Sequence, residues 1–315
     1  MLSETQIRQF RQDGYLVVEN VIDTVTLDAV QAEYAGLLDG LYAGWQREGL
    51  LPAPDSGWSF WEKLDRIRAA GLEWFQPMDI SLPHDGITED TPMHFGPAVF
   101  DLLTHRRILD IVETLIGGEI TSNPIQHVRI KPPQREVPGD EARAHIVSTA
   151  WHQDQGVTLE EADETDFVTV WIAVTDANVR NGCLQLIPNP PAEMLPHCPQ
   201  GQTAIAPGHL DASRAVPAEI GAGGIILIDP YTPHSAGPNQ SDGYRWSFDI
   251  RYNVTGQPTG RPQFPDFVAR SRAAPETELK DWRMWLLSWQ DARHHLANTT
   301  HMPQHRWPAD APFCA

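Results

Sequence analysis

The stretch YRWSFDIRYNV, residues 244–254, alternates between bulky apolar and polar side chains along most of its length. Successive side chains of a β-strand point to opposite faces, so this stretch predicts a strand with one apolar and one polar face. The apolar face consists of Trp246, Phe248, Ile250 and Tyr252, and the polar face of Arg245, Ser247, Asp249 and Arg251. The apolar face must pack against covering elements, whereas the polar face must meet either water or a polar cavity.

Short stretches of similar composition, separated by turn residues, precede it in the chain. They are EITSNPIQHVRIK (119–131), VSTAWHQDQGV (147–157), DFVTVWIAV (166–174), GCLQLIP (182–188) and GGIILIDPY (223–231). β-Branched and aromatic residues bounded by Gly, Pro, Asn or Asp predict strands. Many short strands at such spacing are typical of a β-sandwich, a barrel or a jelly roll.

Helical patterns flank this β-rich region. Ser3 followed by Gln6 predicts a capping box at the start of a first helix, which Gly14 ends. Apolar residues recur at helical spacing in residues 26–45, and residues 97–118 begin with a proline and end with two glycines. The first third of the chain is therefore expected to be mainly helical.

The order of these patterns predicts one domain, because no repeat, low-complexity tract or clear linker divides the chain. Residues 1–118 are expected to form a mainly helical flank, residues 119–255 the β core and residues 256–315 a C-terminal extension. Trp282, Trp285 and Trp289 in that extension recur at helical spacing, which favours core packing over a ligand site. The fold class is therefore mainly β with helical flanks.

The charge balance excludes two classes of partner. The chain has 42 acidic and 23 basic residues, which gives a formal net charge of −19. No region supplies the basic surface that nucleic-acid phosphates or an anionic membrane surface would require. No window approaches the roughly 18 apolar residues of a membrane span. We therefore expect no nucleic-acid partner and no membrane association, and the oligomeric state is not indicated.

The cysteines are few and irregularly spaced. Cys183, Cys198 and Cys314 form no CxxC pair and no even framework. The N-terminal residues contain no apolar signal segment. These observations predict reduced thiols in a cytoplasmic protein.

The stretch TAWHQDQGVT, residues 149–158, contains a potential metal site. It places His152 and Asp154 two positions apart, and on a strand such side chains share a face about 7 Å apart. His234 follows an apolar strand and is the candidate third ligand. Two histidines and one carboxylate on one side of a metal leave positions open, which is typical of non-haem Fe(II) oxygenases, whereas structural zinc sites usually have four protein ligands. The alternative is a buried polar network or a surface strand.

An arginine on the polar face of residues 244–254 suggests the ligand that would accompany the metal. Arg245 beside iron is suited to a dicarboxylate such as 2-oxoglutarate, because a guanidinium binds a carboxylate through two parallel hydrogen bonds. An ion pair with Asp249 or Asp154 is the alternative role. Arg251 shares the face but lies about 20 Å further along the strand, so we expect it to be structural or to face the substrate.

These stretches resemble the phytanoyl-CoA dioxygenase-like family of iron- and 2-oxoglutarate-dependent oxygenases. The matching text is WHQD (151–154), VWIAVTDANVRNGCLQLIP (170–188) and PYTPHSAGPNQSDGYRWSFDIRY (230–252). The resemblance implies a double-stranded β-helix, which is an eight-stranded, cupin-like jelly roll with helices packed outside it. It also implies Fe(II), with 2-oxoglutarate and O2 as cosubstrates.

The resemblance assigns roles to individual residues. His152, Asp154 and His234 would be the iron ligands and catalytic centre, and Arg245 would bind the distal carboxylate of 2-oxoglutarate. Gln153 and Trp171 match positions that line the cosubstrate pocket. Two departures stand out: Ala236 replaces a frequent hydroxyl residue, and NPPAEMLPH (189–197) replaces the usual Gly-Ser-His.

The expected activity is hydroxylation of a small organic metabolite with release of succinate and CO2. Desaturation, cyclisation or epimerisation with the same cofactors is an alternative, and a non-catalytic jelly-roll binding module is another. The acidic net charge favours a neutral or cationic substrate over a CoA thioester. Residues 132–145, rich in Pro, Gly and charged residues, are predicted to form a lid over the site.

Overall fold

The structure is a computed structural model that describes residues 1–55, 57–83, 85–299 and 306–314, and no side chain at position 200. Its α-helices are α1 (Glu4–Asp13), α2 (Thr24–Arg47), α3 (Phe60–Ala69), α4 (Pro97–Leu103), α5 (Arg106–Ile116), α6 (Asp154–Val157) and α7 (Trp282–Ala297). Ser3 and Gln6 form the predicted capping box on α1, and Gly14 ends that helix with φ of 77°. The predicted C-terminal extension includes residues 300–305 and 315, which lie outside the described residues.

The β core contains a six-stranded antiparallel sheet. Its strands are β1 (Tyr15–Val18), β2 (Glu119–Lys131), β4 (Phe167–Ala173), β9 (Ile225–Ile228), β11 (Arg245–Val254) and β12 (Phe267–Ser271), in the order β1-β9-β4-β11-β2-β12. The apolar face of β11 packs against the helical flank, as the alternation predicts: the Tyr34 ring of α2 lies 5.0 Å from that of Trp246. The polar face of β11 is therefore turned away from the helices.

A four-stranded sheet faces the other side of the large sheet. It contains β3 (Thr149–His152), β5 (Leu184–Leu186), β8 (Val216–Ala218) and β10 (His234–Ala236), in the order β3-β10-β5-β8. Residues of both sheets form one buried apolar cluster, in which Trp171 and Ile226 of the large sheet lie with Leu184 and Leu186 of the small one. This is the predicted jelly-roll architecture with helical flanks. A separate hairpin joins β6 (His197–Gln200) and β7 (Gln202–Ile205).

Two elements differ from the sequence prediction. The strand expected over residues 147–157 is confined to β3, and α6 begins at Asp154, so His152 and Asp154 do not share one strand. The helix expected over residues 97–118 is two helices, because His105 between them has a non-helical backbone (ψ of 122°). No helix within the described ranges is long and apolar enough to cross a membrane.

The expectation of reduced thiols is wrong for two of the three cysteines. Cys198 of β6 and Cys314 near the C-terminus form a disulfide that spans 116 residues. Cys183 is free, as predicted, and it is buried. Spacing in the sequence could not reveal the pair, because its two halves meet only when the C-terminal segment packs against the β6–β7 hairpin.

Candidate active site

His152, Asp154 and His234 converge inside the β core. His152 ends β3 and His234 begins β10, and the two residues are direct partners across this antiparallel pair. Their ring centroids are 4.2 Å apart. The Oδ1 atom of Asp154 lies 3.7 Å from Nε2 of His152 and 3.9 Å from Nε2 of His234. All three side chains are buried. Strand pairing therefore brings the histidines together, and the turn into α6 aims the carboxylate at them.

Backbone carbonyls fix the orientation of both imidazoles. Nδ1 of His152 donates to the carbonyl of Ala150 (2.8 Å), and Nδ1 of His234 donates to that of Thr232 (3.0 Å). Because a carbonyl can only accept, Nδ1 carries the proton in each ring, and each Nε2 presents a lone pair. Burial, and after it the neighbouring His234, lowers the pKa of His152 to about 3. The uncharged, metal-binding form of His152 is thereby favoured.

Two neighbours hold the Asp154 carboxylate. The Thr169 hydroxyl donates to Oδ2, and Nη2 of Arg251 donates to Oδ1. Although burial alone would raise the pKa of Asp154, the Arg251 guanidinium and the two histidines hold it well below its usual range. Of the two ion pairs considered for Arg245, the one with Asp154 is made by Arg251 and the one with Asp249 is made by Arg129.

The donor set suits a metal with open coordination positions. One ligand atom from each of the three residues lies within 4.8 Å of the other two. Two imidazole nitrogens and one carboxylate oxygen match the preference of non-haem Fe(II). A second group with this spacing consists of Asp79, His127 and His145. In that group Asp79 is already hydrogen-bonded to Nδ1 of His127, at 2.9 Å.

A small cavity of about 10 Å³ extends from the two histidines toward β11. Its walls include His152, His234, Trp171 and Arg245. Arg245 is buried, with its guanidinium 5.3 Å from the Trp171 ring centre, and Nη1 donates to Ser247 at 2.7 Å. Nε and Nη2 of Arg245, and Nε1 of Trp171, have no hydrogen-bond partner among the described residues. Burial, and after it Arg129, lowers the pKa of Arg245 to about 9.

These unsatisfied donors fit an anion. A buried N–H group without a partner costs free energy, so a guanidinium with two such groups is poised for an acceptor that the chain does not supply. A carboxylate at Arg245, with further oxygens directed at the two histidines, would match both ends of 2-oxoglutarate. The donors of the small cavity therefore match the carboxylates of the predicted cosubstrate, and its space of about 10 Å³ has to widen to admit the whole molecule.

Gln153 occupies a different place from Trp171. Its Nε2 donates to the carbonyl of Tyr231 (2.7 Å), and its Oε1 accepts from the backbone of Leu195 (2.6 Å). Its backbone N–H donates to Nε2 of His197 (3.0 Å). The structure therefore turns Gln153 away from the small cavity, and its bonds hold the turn between the two ligands on β3 and α6.

Residues 306–314, near the C-terminus, pack against the turn that joins β3 to α6. Nε1 of Trp307 donates to the carbonyl of Gly156 (2.6 Å), and the Trp307 ring stacks on His197. Arg306 forms an ion pair with Asp163. The disulfide joins this segment to the hairpin that carries His197. These contacts attach the chain end to the part of the chain that bears Asp154.

A larger cavity of about 550 Å³ opens beside the triad. His152, Thr149 and Arg129 line both cavities, so the two spaces meet at the candidate metal site. Residues 142–145, the end of the predicted lid, form part of the wall of the larger cavity, and so does His127. A cavity of this volume matches a small-molecule site.

The sequence did not predict how the charged residues around the site are paired, and it gave no role to Arg261. Arg129 bonds Asp249 through Nε (2.9 Å) and Nη2 (2.6 Å), and Asp249 also lies 3.5 Å from Arg251. The alternation in β11 could have suggested these contacts, because Asp249 and Arg251 share its polar face. Arg261, on the wall of the larger cavity, follows β11 in a turn that carries no recognisable pattern.

A family model matches most of the chain. The model of phytanoyl-CoA dioxygenase (PhyH) matches residues 10–247. The chain is also similar to the phytanoyl-CoA dioxygenase domain-containing protein 1 homolog of Dictyostelium discoideum, with 23% identity over 275 residues, which cover 80% of this chain and 91% of that protein. It is similar to dioxygenase lolE1 of Epichloe uncinata, with 29% identity over 100 residues, but that match covers 31% of this chain and only 38% of that relative.

Several solved structures share the fold. The apo form of the non-heme monooxygenase ThoJ superposes with a TM-score of 0.60 at 19% identity, over 92% of this chain and 98% of that one. EvdO2 from Micromonospora carbonacea var. aurantiaca, solved with 2-oxoglutarate, gives a TM-score of 0.53 at 19% identity, over 81% and 92%. The alpha-ketoglutarate-dependent epimerase SnoN from nogalamycin biosynthesis gives 0.51 at 21% identity, over 82% and 86%.

Proposed function

The chain belongs to the phytanoyl-CoA dioxygenase family, and from this premise we propose that it hydroxylates a small organic molecule. Family membership makes it a non-haem iron oxygenase that uses 2-oxoglutarate. When bound, Fe(II), 2-oxoglutarate and O2 supply the oxidising chemistry, with release of succinate and CO2. The protein's own contribution is to bind, to orient and to exclude water.

We assign the iron to His152, Asp154 and His234. The convergence of their three ligand atoms within 4.8 Å supports this assignment. The backbone carbonyls that accept from each Nδ1 keep both Nε2 lone pairs directed at the metal position. The hydrogen bonds from Thr169 and Arg251 hold the Asp154 carboxylate in place beside the two Nε2 atoms.

The observation that carries the use of 2-oxoglutarate at this site is the pair of unpartnered donors on Arg245. They lie at the end of a cavity whose other walls include the two histidines. A distal carboxylate bonded to Arg245 would leave the keto acid end of 2-oxoglutarate near the metal. Trp171 forms the side wall and adds one N–H donor without a partner.

A second candidate outcome is epimerisation, cyclisation or desaturation at the same centre. Its support is the fold shared with SnoN, which is described as an epimerase. The residues of the site serve any of these outcomes, because they hold the cofactors and do not determine which substrate bond reacts. A non-catalytic binding module is disfavoured, since it needs neither the open metal ligands nor the unpartnered Arg245.

We further propose that residues 1–315 act as one catalytic domain, with the helical flank and the C-terminal extension supporting the β core. Cytoplasmic location stays a prediction. The disulfide between Cys198 and Cys314 weighs against it, because such bonds persist mainly in oxidising compartments.

The proposal is tested by titrating 2-oxoglutarate into Fe(II)-loaded protein under anaerobic conditions and then admitting O2 with a panel of metabolites. We expect metal-dependent binding of 2-oxoglutarate and succinate release that a substrate accelerates. Mass spectrometry of the product separates three groups of outcomes: hydroxylation adds one oxygen atom, desaturation and cyclisation each remove two hydrogens, and epimerisation leaves the mass unchanged. Absence of metal-dependent 2-oxoglutarate binding would contradict the proposal.

A further inference from the structure

Arg261 is a buried arginine on the wall of the larger cavity, and it is 5% exposed. Nη1 donates to the carbonyl of Gly260 (2.7 Å) and Nη2 to that of Val157 (2.6 Å). A guanidinium has five N–H donors, so these bonds leave others for a ligand. No carboxylate of the residues that the structure describes forms an ion pair with it.

The other arginines of the same wall each have a carboxylate partner. The pairs are Arg129 with Asp249, Arg143 with Glu141 and Glu73, and Arg251 with Asp154. The remaining charged residue of the wall, Asp85, is exposed and forms no ion pair with Arg261. Arg261 is therefore the wall arginine whose charge the described side chains leave unmatched.

Burial of an unmatched charge is unfavourable unless an ion or a ligand compensates it. Burial, and after it the nearby Arg251, lowers the pKa of Arg261 to about 10. The guanidinium therefore remains protonated at neutral pH and retains its positive charge. A ligand anion in the larger cavity would offset the cost of burying it.

The charge of the surroundings also favours an anion. The buried charged groups that line the two cavities or bond to their wall residues are four arginines, Arg129, Arg245, Arg251 and Arg261, with Lys131, and three carboxylates, Asp79, Asp154 and Asp249. Positive charge is therefore in excess. Fe(II) and the 2-oxoglutarate dianion carry equal and opposite charges, so their binding leaves that excess in place. The acidic residues elsewhere on the surface have little influence at the buried wall of the larger cavity, because charges near the surface are screened by solvent and salt.

His127 stands beside Arg261 and offers a second polar contact. Both residues line the larger cavity and an adjoining crevice, which also contains Ile125 and Phe264. Asp79 accepts from Nδ1 of His127 at 2.9 Å, and this bond leaves Nε2 available to a ligand. A charged contact next to apolar side chains suits a molecule with an acidic group and a hydrocarbon body.

We propose that Arg261, with His127 beside it, binds a carboxylate of the substrate that the enzyme oxidises. The substrate is then a small organic acid. This inference rests on the proposed function, because it needs a substrate in the larger cavity. It replaces the expectation of a neutral or cationic substrate, which rested on the net charge of the whole chain. The local pairing of charges inside the cavity, and not the total charge, determines which ligand is favoured.

The test is calorimetry on Fe(II)-loaded protein, kept anaerobic and saturated with 2-oxoglutarate so that Arg245 is occupied. The probes are three acids and their matched neutral amides: benzoate with benzamide, phenylacetate with phenylacetamide, and cinnamate with cinnamamide. We expect at least one acid to bind at least about tenfold more tightly than its amide, as a charge-assisted bidentate contact requires. If no acid is preferred over its amide, or if none binds, the inference is wrong.

Variants separate recognition from support of the fold. Arg261→Gln should remove the preference for the acid while the affinity for the amide changes by less than about threefold, and Arg261→Lys should restore part of it. Arg143→Gln, in which a wall arginine with its own carboxylate partners is replaced, should keep the preference. If Arg261 only held the Val157 carbonyl, acid and amide would weaken together, and that outcome would overturn the inference.

The titration of 2-oxoglutarate that precedes these measurements keeps the two proposals apart. Metal-dependent binding of 2-oxoglutarate without any preference for acids rejects the inference on Arg261 alone. Absence of that binding in the unaltered protein rejects the proposed function.

Discussion

The polar groups on the two sides of the candidate iron site differ in how far the chain itself supplies their hydrogen bonds and counter-charges. On one side, four residues form what we call the anchoring network: Gln153, Thr169, His197 and Arg251. Thr169 and Arg251 donate to Asp154, His197 accepts from the backbone of Gln153, and the side chain of Gln153 bonds to the backbone of Tyr231 and Leu195. On the other side, Arg245 faces the small cavity with two donors that no described residue accepts.

This difference distinguishes two roles that a buried polar group can have. A group whose partners are all supplied by the chain contributes to stability and to the position of a ligand atom. A group without a partner lowers stability and is retained where a ligand completes it. Arg245 and Arg251 lie on the same face of β11, yet the charge of Arg251 is paired with Asp154, whereas Arg245 forms no ion pair with any described carboxylate. Mutations in the anchoring network should therefore change stability first, and mutations at the small cavity should change ligand affinity first.

The largest effect is expected for Asp154, where the two sides meet. Asp154→Ala should abolish substrate-dependent succinate release, because it removes a ligand from an open metal site. It should also lower the free energy of unfolding of the metal-free protein by about 3 kcal/mol, because buried Arg251 loses its closest counter-charge. Succinate assays and urea unfolding measure the two effects. Asp242→Ala, at an exposed ion pair, is the control, and wild-type turnover in Asp154→Ala would reject the ligand assignment.

Replacing each of the two arginines of β11 should change a different property, either the KM for 2-oxoglutarate or the free energy of unfolding. Arg245→Ala should raise the KM for 2-oxoglutarate at least about tenfold, because it removes a charge-assisted bidentate contact. Arg251→Ala should leave that KM nearly unchanged at saturating iron and should instead lower the free energy of unfolding by roughly 3 kcal/mol. The reverse ranking of the KM values would mean that Arg251, and not Arg245, binds the cosubstrate.

A smaller effect is expected from pH, through His197 of the anchoring network. Burial lowers the pKa of His197 to about 4, so between pH 4 and 6.5 the unfolded chain binds a proton that the folded chain does not. Stability should therefore fall as pH drops through this window, by at most roughly 1.4 kcal/mol per pH unit for this group. Urea unfolding at several pH values should give a shallower slope for His197→Gln. The slope of the exposed His209→Gln should match that of the wild type, and equal slopes in all three proteins would exclude the role of His197.

The smallest effect is expected in the predicted lid, residues 132–145. Arg135 in this segment is exposed and offers a trypsin site. Fe(II), 2-oxoglutarate and the tightest acid of the panel should together slow cleavage there by roughly twofold or more, since ligands stabilise segments that close over a site. Cleavage that is equally fast with and without these ligands would leave residues 132–145 as a surface loop.

Patterns within short stretches carried much of the fold prediction. The alternation in residues 244–254 predicted β11 and its packed face, and the spacing of His152, Asp154 and His234 predicted their convergence. The same spacing gave the wrong local structure, because β3 ends at His152 and the chain turns before Asp154. The three side chains still converge, because β3 pairs with β10 and the turn before α6 directs Asp154 toward the two histidines.

Contacts between distant parts of the chain could not be read from such patterns. The disulfide of Cys198 with Cys314 depends on where the C-terminal segment packs, and the ion pair of Arg251 with Asp154 depends on how β11 crosses the turn before α6. Arg261 shows the same limit, since only its burial without a carboxylate partner distinguishes it from the other arginines.

The central claim is that the chain holds iron between the two imidazoles and the carboxylate, and that it reserves Arg245 for the distal end of 2-oxoglutarate. The most direct test is a crystal soaked anaerobically with Fe(II) and 2-oxoglutarate. We expect the metal at Nε2 of His152, Oδ1 of Asp154 and Nε2 of His234, with the distal carboxylate of 2-oxoglutarate bonded to Nε and Nη2 of Arg245. A metal bound at other residues, or a 2-oxoglutarate that leaves both donors of Arg245 without a partner, would contradict the account.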